Sequence, residues 1–104
     1  MTKRKRTVQR AGDRVQEKLS RDLEKLAREA PGGSPERAIV VTSPAEVEVH
    51  ARGAPCPVCE GEVRVEEHTA ETIGGARLRV VRVVCTLCRR PRALYFQLAG
   101  TMLN

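Results

Sequence analysis

The sequence predicts a small α+β fold. An N-terminal amphipathic helix precedes a β-rich module built on a three-stranded antiparallel sheet, open to extension by one or two short strands. Three observations carry this. Apolar residues within 1–30 recur every three or four positions, the spacing of one helix face. Beyond residue 60, β-branched runs are separated by Gly74-Gly75. Four cysteines in two pairs flank that hairpin. At 104 residues the chain suits one domain, or one small domain with an appended element. The pattern divides it into a basic arm and helix (1–30), a linker with short strands (31–53) and a cysteine-bearing domain (54–104).

Residues 2–6 read as a frayed basic arm. From Thr7 to Ala30 the apolar set Val8, Ala11, Val15, Leu19, Leu23, Leu26 and Ala30 forms one stripe. The residues between are mostly Glu, Lys, Arg and Gln, good helix formers. Glu17/Arg21 and Glu24/Arg28 add attractive pairs one turn apart. Gly12 weakens the first half, and Pro31-Gly32-Gly33 ends the helix. The stripe needs a covering surface, either the C-terminal module or another chain.

Ile39 to Thr42 reads as a short strand closed by Ser43-Pro44. Val47, Val49 and Ala51 alternate with Glu46, Glu48 and His50, which predicts a half-buried strand. Glu62–Ile73 and Ala76–Cys85 form the hairpin, since Gly-Gly accepts the positive φ of a tight turn. A two-residue turn there makes opposed residue numbers sum to 149, so Glu67 faces Arg82. The face with Val63, Val65, Ile73, Leu78, Val80 and Val84 is the more apolar and is expected to be buried. The face with Arg64, Glu66, His68, Arg79, Val81 and Val83 is expected to be open. Leu94, Phe96 and Leu98 alternate with Tyr95 and Gln97 as a third strand. Gly100 to Asn104 carry no usable pattern.

One Tyr, one Phe and no Trp leave little large apolar surface for a core. The cysteines supply the alternative. Cys56-Pro57-Val58-Cys59 and Cys85-Thr86-Leu87-Cys88 are C-x-x-C pairs 25 residues apart. The hairpin tip lies between them, so both pairs meet at its open end. Four thiolates in a tetrahedron suit Zn²⁺, with bonds of ~2.3 Å. Fe²⁺ in the same sulfur cage ranks second. Four protein ligands leave no position for water or substrate, which points to a structural ion and not to an enzyme. Redox and disulfide readings fit worse, because Pro and strand signals surround the pairs instead of a βαβ unit. His50 and His68 read as ordinary strand residues. Neither a nucleophile–base pair nor a phosphate-binding glycine loop is present.

The two pairs, the hairpin and the strand that follows resemble the zinc-ribbon superfamily over about residues 54–98. The resemblance implies a structural zinc held at two knuckle-like turns, with a three-stranded sheet extending from it. Such ribbons often place Gly directly after the second cysteine of a knuckle, where the backbone turns left-handed. Here Glu60 and Arg89 occupy those positions. Residues 1–53 carry no such resemblance.

The net charge is +6, and residues 1–30 hold ten Lys/Arg against five Asp/Glu. Lys3, Arg4, Lys5, Arg6, Arg10 and Arg14 are candidates for a phosphate backbone, as are Arg89, Arg90 and Arg92 at the second knuckle. The three knuckle arginines better suit the negative metal–thiolate centre, an offset that needs no partner. Tyr95 and Phe96 point to opposite faces of a strand, so a base-stacking platform is poorly supported. The expectation is a nucleic-acid-associated binding module, such as ribbons attached to transcription or translation machinery. The alternative is an adaptor or assembly subunit whose protein partner covers the helix stripe. No small-molecule substrate is implied. The longest apolar runs, such as Ala38–Val41, are far shorter than the ~20 residues that span a bilayer. No secretory signal follows the basic start, so a cytoplasmic location is expected, where paired cysteines more often bind metal than form disulfides.

Overall fold

A computed structural model describes the backbone of residues 2–99 and the side chains of residues 12–99. Helix α1 spans Thr2–Glu29, so the basic arm is helical from its start rather than frayed. Lys, Arg and Gln are helix formers, and no breaker separates them from the apolar stripe. A short 3₁₀ turn, Pro35–Arg37, leads to β1 (Ile39–Val41) and α2 (Pro44–Gly53). Strands β2 (Val63–Ile73), β3 (Ala76–Cys85) and β4 (Pro91–Leu98) follow.

The sheet has four strands in the order β1-β4-β3-β2. The three long strands pair antiparallel, as the hairpin and the Leu94–Leu98 alternation predict. Strand β1 adds itself parallel to the far side of β4, with Ile39 opposite Phe96.

The segment around Val47 is a helix, not the expected strand. Val47 and Ala51, four residues apart, are fully buried, while Val49 is 71% exposed. Burial therefore follows a period near four. The helix start is well specified. Ser43 sits at the N-cap, Pro44 follows it, and Glu46 reaches back one turn. The Glu46 Oε2 accepts hydrogen bonds from the Thr42 N–H at 2.7 Å and the Thr42 hydroxyl at 2.9 Å.

The hairpin register matches the expectation from Ile73/Ala76 down to Glu67/Arg82. A bulge between Val65 and Glu67 then shifts the pairing, so that Val65 faces Val83 and Val63 faces Cys85. Burial on β3 departs from the expectation in one respect: Val81 and Val83, expected to be open, are buried. Helix α2 covers the face that carries Val81 and Val83, which form the core with Val41, Val47, Ala51, Leu94 and Phe96. The extra residue in β2 turns Val63 and Val65 onto this same face, where they pack against the core. Leu78 and Val80 are buried on the opposite side of β3, as expected for that face.

Among the described side chains of α1, the ones that turn partly inward lie from Ser20 onward. Ser20, Leu23, Glu24 and Ala27 are half-buried, whereas Val15, Leu19 and Leu26 are 67%, 56% and 62% exposed. The module thus does not cover the apolar stripe. Glu24 does not turn to Arg28 but meets Arg90 at 3.2 Å. After the helix, Gly32 has φ +81°, its N–H donates to the Arg37 carbonyl and its carbonyl accepts from Tyr95 N–H at 2.9 Å. A Cβ at Gly33 would overlap the Ala27 carbonyl oxygen, so only glycine lets the chain pass so close to α1. The molecule is elongated, measuring 69 × 24 × 16 Å with a radius of gyration of 17.4 Å. A compact domain of this length would have about 13 Å.

Candidate metal centre

Each cysteine pair lies on a tight turn, and the two turns repeat one hydrogen-bond pattern. In the first, Glu60 N–H donates to the Cys56 carbonyl at 2.8 Å and Cys56 N–H donates to the Gly61 carbonyl at 3.0 Å. In the second, Arg89 N–H donates to the Cys85 carbonyl and Cys85 N–H to the Arg90 carbonyl, both at 3.1 Å. Closing each turn requires a left-handed residue after the second cysteine. Glu60 has φ +62° and Arg89 φ +65°, the only non-glycine residues with positive φ among those described. Both are the positions at which the resemblance implies a left-handed backbone, although neither residue type favours that conformation.

The hairpin register brings the turns together. Thr86 N–H and its hydroxyl both donate to the Glu62 carbonyl, which ties the second turn to the chain leaving the first. Gly61 permits the closest approach. A Cβ there would lie 2.9 Å from Leu87 Cδ1 and 3.1 Å from Cys85 Sγ. Nothing in the residue types announced this role for Gly61, though its position two residues beyond Cys59 hinted at it.

All four Sγ atoms lie within 4.8 Å of one another. Cys56 and Cys88 sulfurs are 3.6 Å apart, and those of Cys59 and Cys85 3.3 Å apart. A tetrahedral ion with bonds of ~2.3 Å needs sulfurs about 3.8 Å apart. The cluster therefore fits a metal ion, and all four cysteines are free thiols. Cys56 and Cys85 are buried and Cys59 is exposed. A cleft of about 440 Å³ between the end of α1, the first turn and the start of β4 is lined by Cys56 and Cys85, giving an ion a path of entry.

The thiols are not equivalent. Backbone N–H groups of Cys88 and Leu87 point at the Cys85 sulfur at 3.5 and 3.4 Å. With Cys88 N–H the strongest influence, they hold the Cys85 thiol down to about 6. Burial pushes the Cys88 thiol up to about 12. Of these two thiols Cys85 is therefore the readier to serve as a thiolate ligand, since ligand sulfurs must lose their protons.

The basic candidates separate into four groups. Arg90 is bound to Glu24 of α1. Arg92 is half-buried on β4 opposite Val83, and burial holds its guanidinium below the usual arginine range while Cys56 opposes that shift. None of the ion pairs among the described residues includes Arg92. Arg89 and Arg14 are exposed. Lys3, Arg4, Lys5, Arg6 and Arg10 have side chains outside the described residues. His50 lies on α2 with its ring 6.2 Å from that of Phe96, and His68 Nδ1 is 3.7 Å from a Glu48 oxygen. Neither histidine belongs to the sulfur cluster. No helix among the described residues is long and apolar enough to cross a membrane.

No family model, curated protein or solved structure matches this chain.

Proposed function

We propose that this is a small, non-catalytic zinc-binding module of the zinc-ribbon type that associates with nucleic acid, within transcription or translation machinery. The observation that carries it is the meeting of four cysteine sulfurs within 4.8 Å on two matching turns. Four protein sulfurs complete a tetrahedral shell, which supports a structural ion over a reacting one. Thiolate softness favours zinc, with iron second. The charge of +6, concentrated in α1, supports a polyanionic partner. Free thiols fit the reducing cytoplasm.

Metal analysis of the purified protein tests the first half. One zinc per chain is expected, lost when any one of the four cysteines becomes Ser. A metal-free, folded protein refutes it. Capture of partners from extract, with and without nuclease, tests the second half. Partners that vanish with nuclease support association with nucleic acid.

The exposure of Val15, Leu19 and Leu26 favours a second reading, a protein-interaction adaptor whose partner covers that stripe. Partners retained after nuclease, and lost from a Leu19→Gln/Leu26→Gln variant, select it.

A further inference from the structure

Helix α1 has three distinct sides. Ser20, Leu23, Glu24 and Ala27, at i, i+3, i+4 and i+7, form the side that meets the module. Val15, Leu19 and Leu26 mark the apolar stripe. The third side is cationic. Arg14, Lys18, Arg21, Lys25 and Arg28 recur at steps of four, three, four and three, and all five are exposed. At about 100° per residue they fall within a sector of about 80°. Backwards along the chain Lys3, Arg6 and Arg10 continue the same spacing in sequence, on a helix that begins at Thr2. From Lys3 to Arg28 the row is about 37 Å long. Glu17, Asp22 and Glu29 border it, and Glu24 is engaged by Arg90.

We infer that this cationic face of α1, centred on Lys18, Arg21 and Lys25, lies along the phosphate backbone of a duplex nucleic acid. The inference rests on the nucleic-acid reading above and names the surface and the form of the partner. A straight row of evenly spaced cations complements a linear array of evenly spaced anions. Of the knuckle arginines, Arg90 is engaged by Glu24 and Arg92 is half-buried, so the helix is the larger exposed cationic surface among the described residues. The scarcity of aromatics removes the stacking that single strands require. A lipid surface is the weaker fit, because the apolar stripe of α1 has no Trp or Phe to enter it. Contacts to phosphate carry no sequence information, so binding is expected to be indifferent to sequence.

The test uses the full-length, metal-loaded protein and labelled mixed-sequence duplexes of DNA and RNA, titrated over a range of salt. The variant Lys18→Gln/Arg21→Gln/Lys25→Gln keeps good helix formers, and circular dichroism checks that α1 persists. Its salt slope is expected to fall by about 2.7 on duplex DNA, and by a comparable amount on duplex RNA. Leu19→Gln/Leu26→Gln is expected to bind within twofold of the parent. Binding by the parent with an unchanged slope in the triple variant overturns the assignment of this face alone. Tighter binding to a single strand, or binding only to vesicles containing phosphatidylserine, overturns the duplex partner. If the parent binds no nucleic acid at all, the nucleic-acid reading falls with it.

Discussion

Glu60 and Arg89 hold backbone angles that side chains with a Cβ avoid, at a cost of about 1 kcal/mol each. Glu60→Gly and Arg89→Gly are each expected to stabilise the folded, metal-loaded protein by up to that amount, measured by denaturant titration. Both substitutions leave the turn hydrogen bonds, which use only backbone groups, in place. Gly61→Ala is expected to act oppositely, since the added methyl meets Leu87 and the Cys85 sulfur. Arg92 raises a different question, that of charge. A half-buried guanidinium beside Cys56 complements the excess negative charge of four thiolates around a divalent ion. Arg92→Gln is expected to weaken zinc binding about tenfold, read by competition with a chromophoric chelator. Arg89→Gln, which changes an exposed side chain of the same charge, is expected to leave zinc affinity unchanged.

Among the elements, α2 depends on a contact that acid removes. The Thr42 N–H, and then its hydroxyl, hold the Glu46 carboxyl below the usual 4.5. This contribution is present above pH 4.5 and is lost as the pH falls through the lowered value. Amide exchange in α2 is therefore expected to accelerate on acidification below that range. Glu46→Gln should open α2 at neutral pH and flatten the dependence. This helix also marks where sequence reading fell short. Val47, Val49 and Ala51 satisfy a period of two, yet Val47 and Ala51 alone satisfy a period of four. Ser43-Pro44 followed by Glu46 held the deciding clue, a helix start rather than a strand end. The bulge in β2 had no signature, since a single unpaired residue looks like any other in a charged strand. Its effect was large, because it reversed which valines near the metal end face the core. By contrast the turn at Gly74-Gly75, the alternation of β4 and the cysteine spacing are local signals, and each was legible. Strand β1 was visible in Ile39–Thr42, but its parallel partner was not, because pairing across 57 residues (Ile39 with Phe96) leaves no local trace.

For the molecule as a whole, the main core among the described residues has seven buried members, too few to carry a 104-residue chain comfortably. Ion binding by four thiolates supplies apparent energies of ~10–16 kcal/mol in small domains. Chelation is therefore expected to collapse the amide dispersion of β2, β3 and β4 in a proton NMR spectrum, with recovery on adding Zn²⁺. Persistence of that dispersion without metal would show that the sheet holds itself. The arrangement of α1 has a mechanical side as well. It is rooted at one end, by Glu24 on Arg90 and by the tight passage at Gly33, while the side chains of residues 12–19 are exposed. A rod of 28 residues is about 42 Å long, so a tilt of ~10° at that fulcrum swings the far tip by ~7 Å. Arg90 follows Cys88 by two residues, so the pivot of this lever is set beside the sulfur cluster itself.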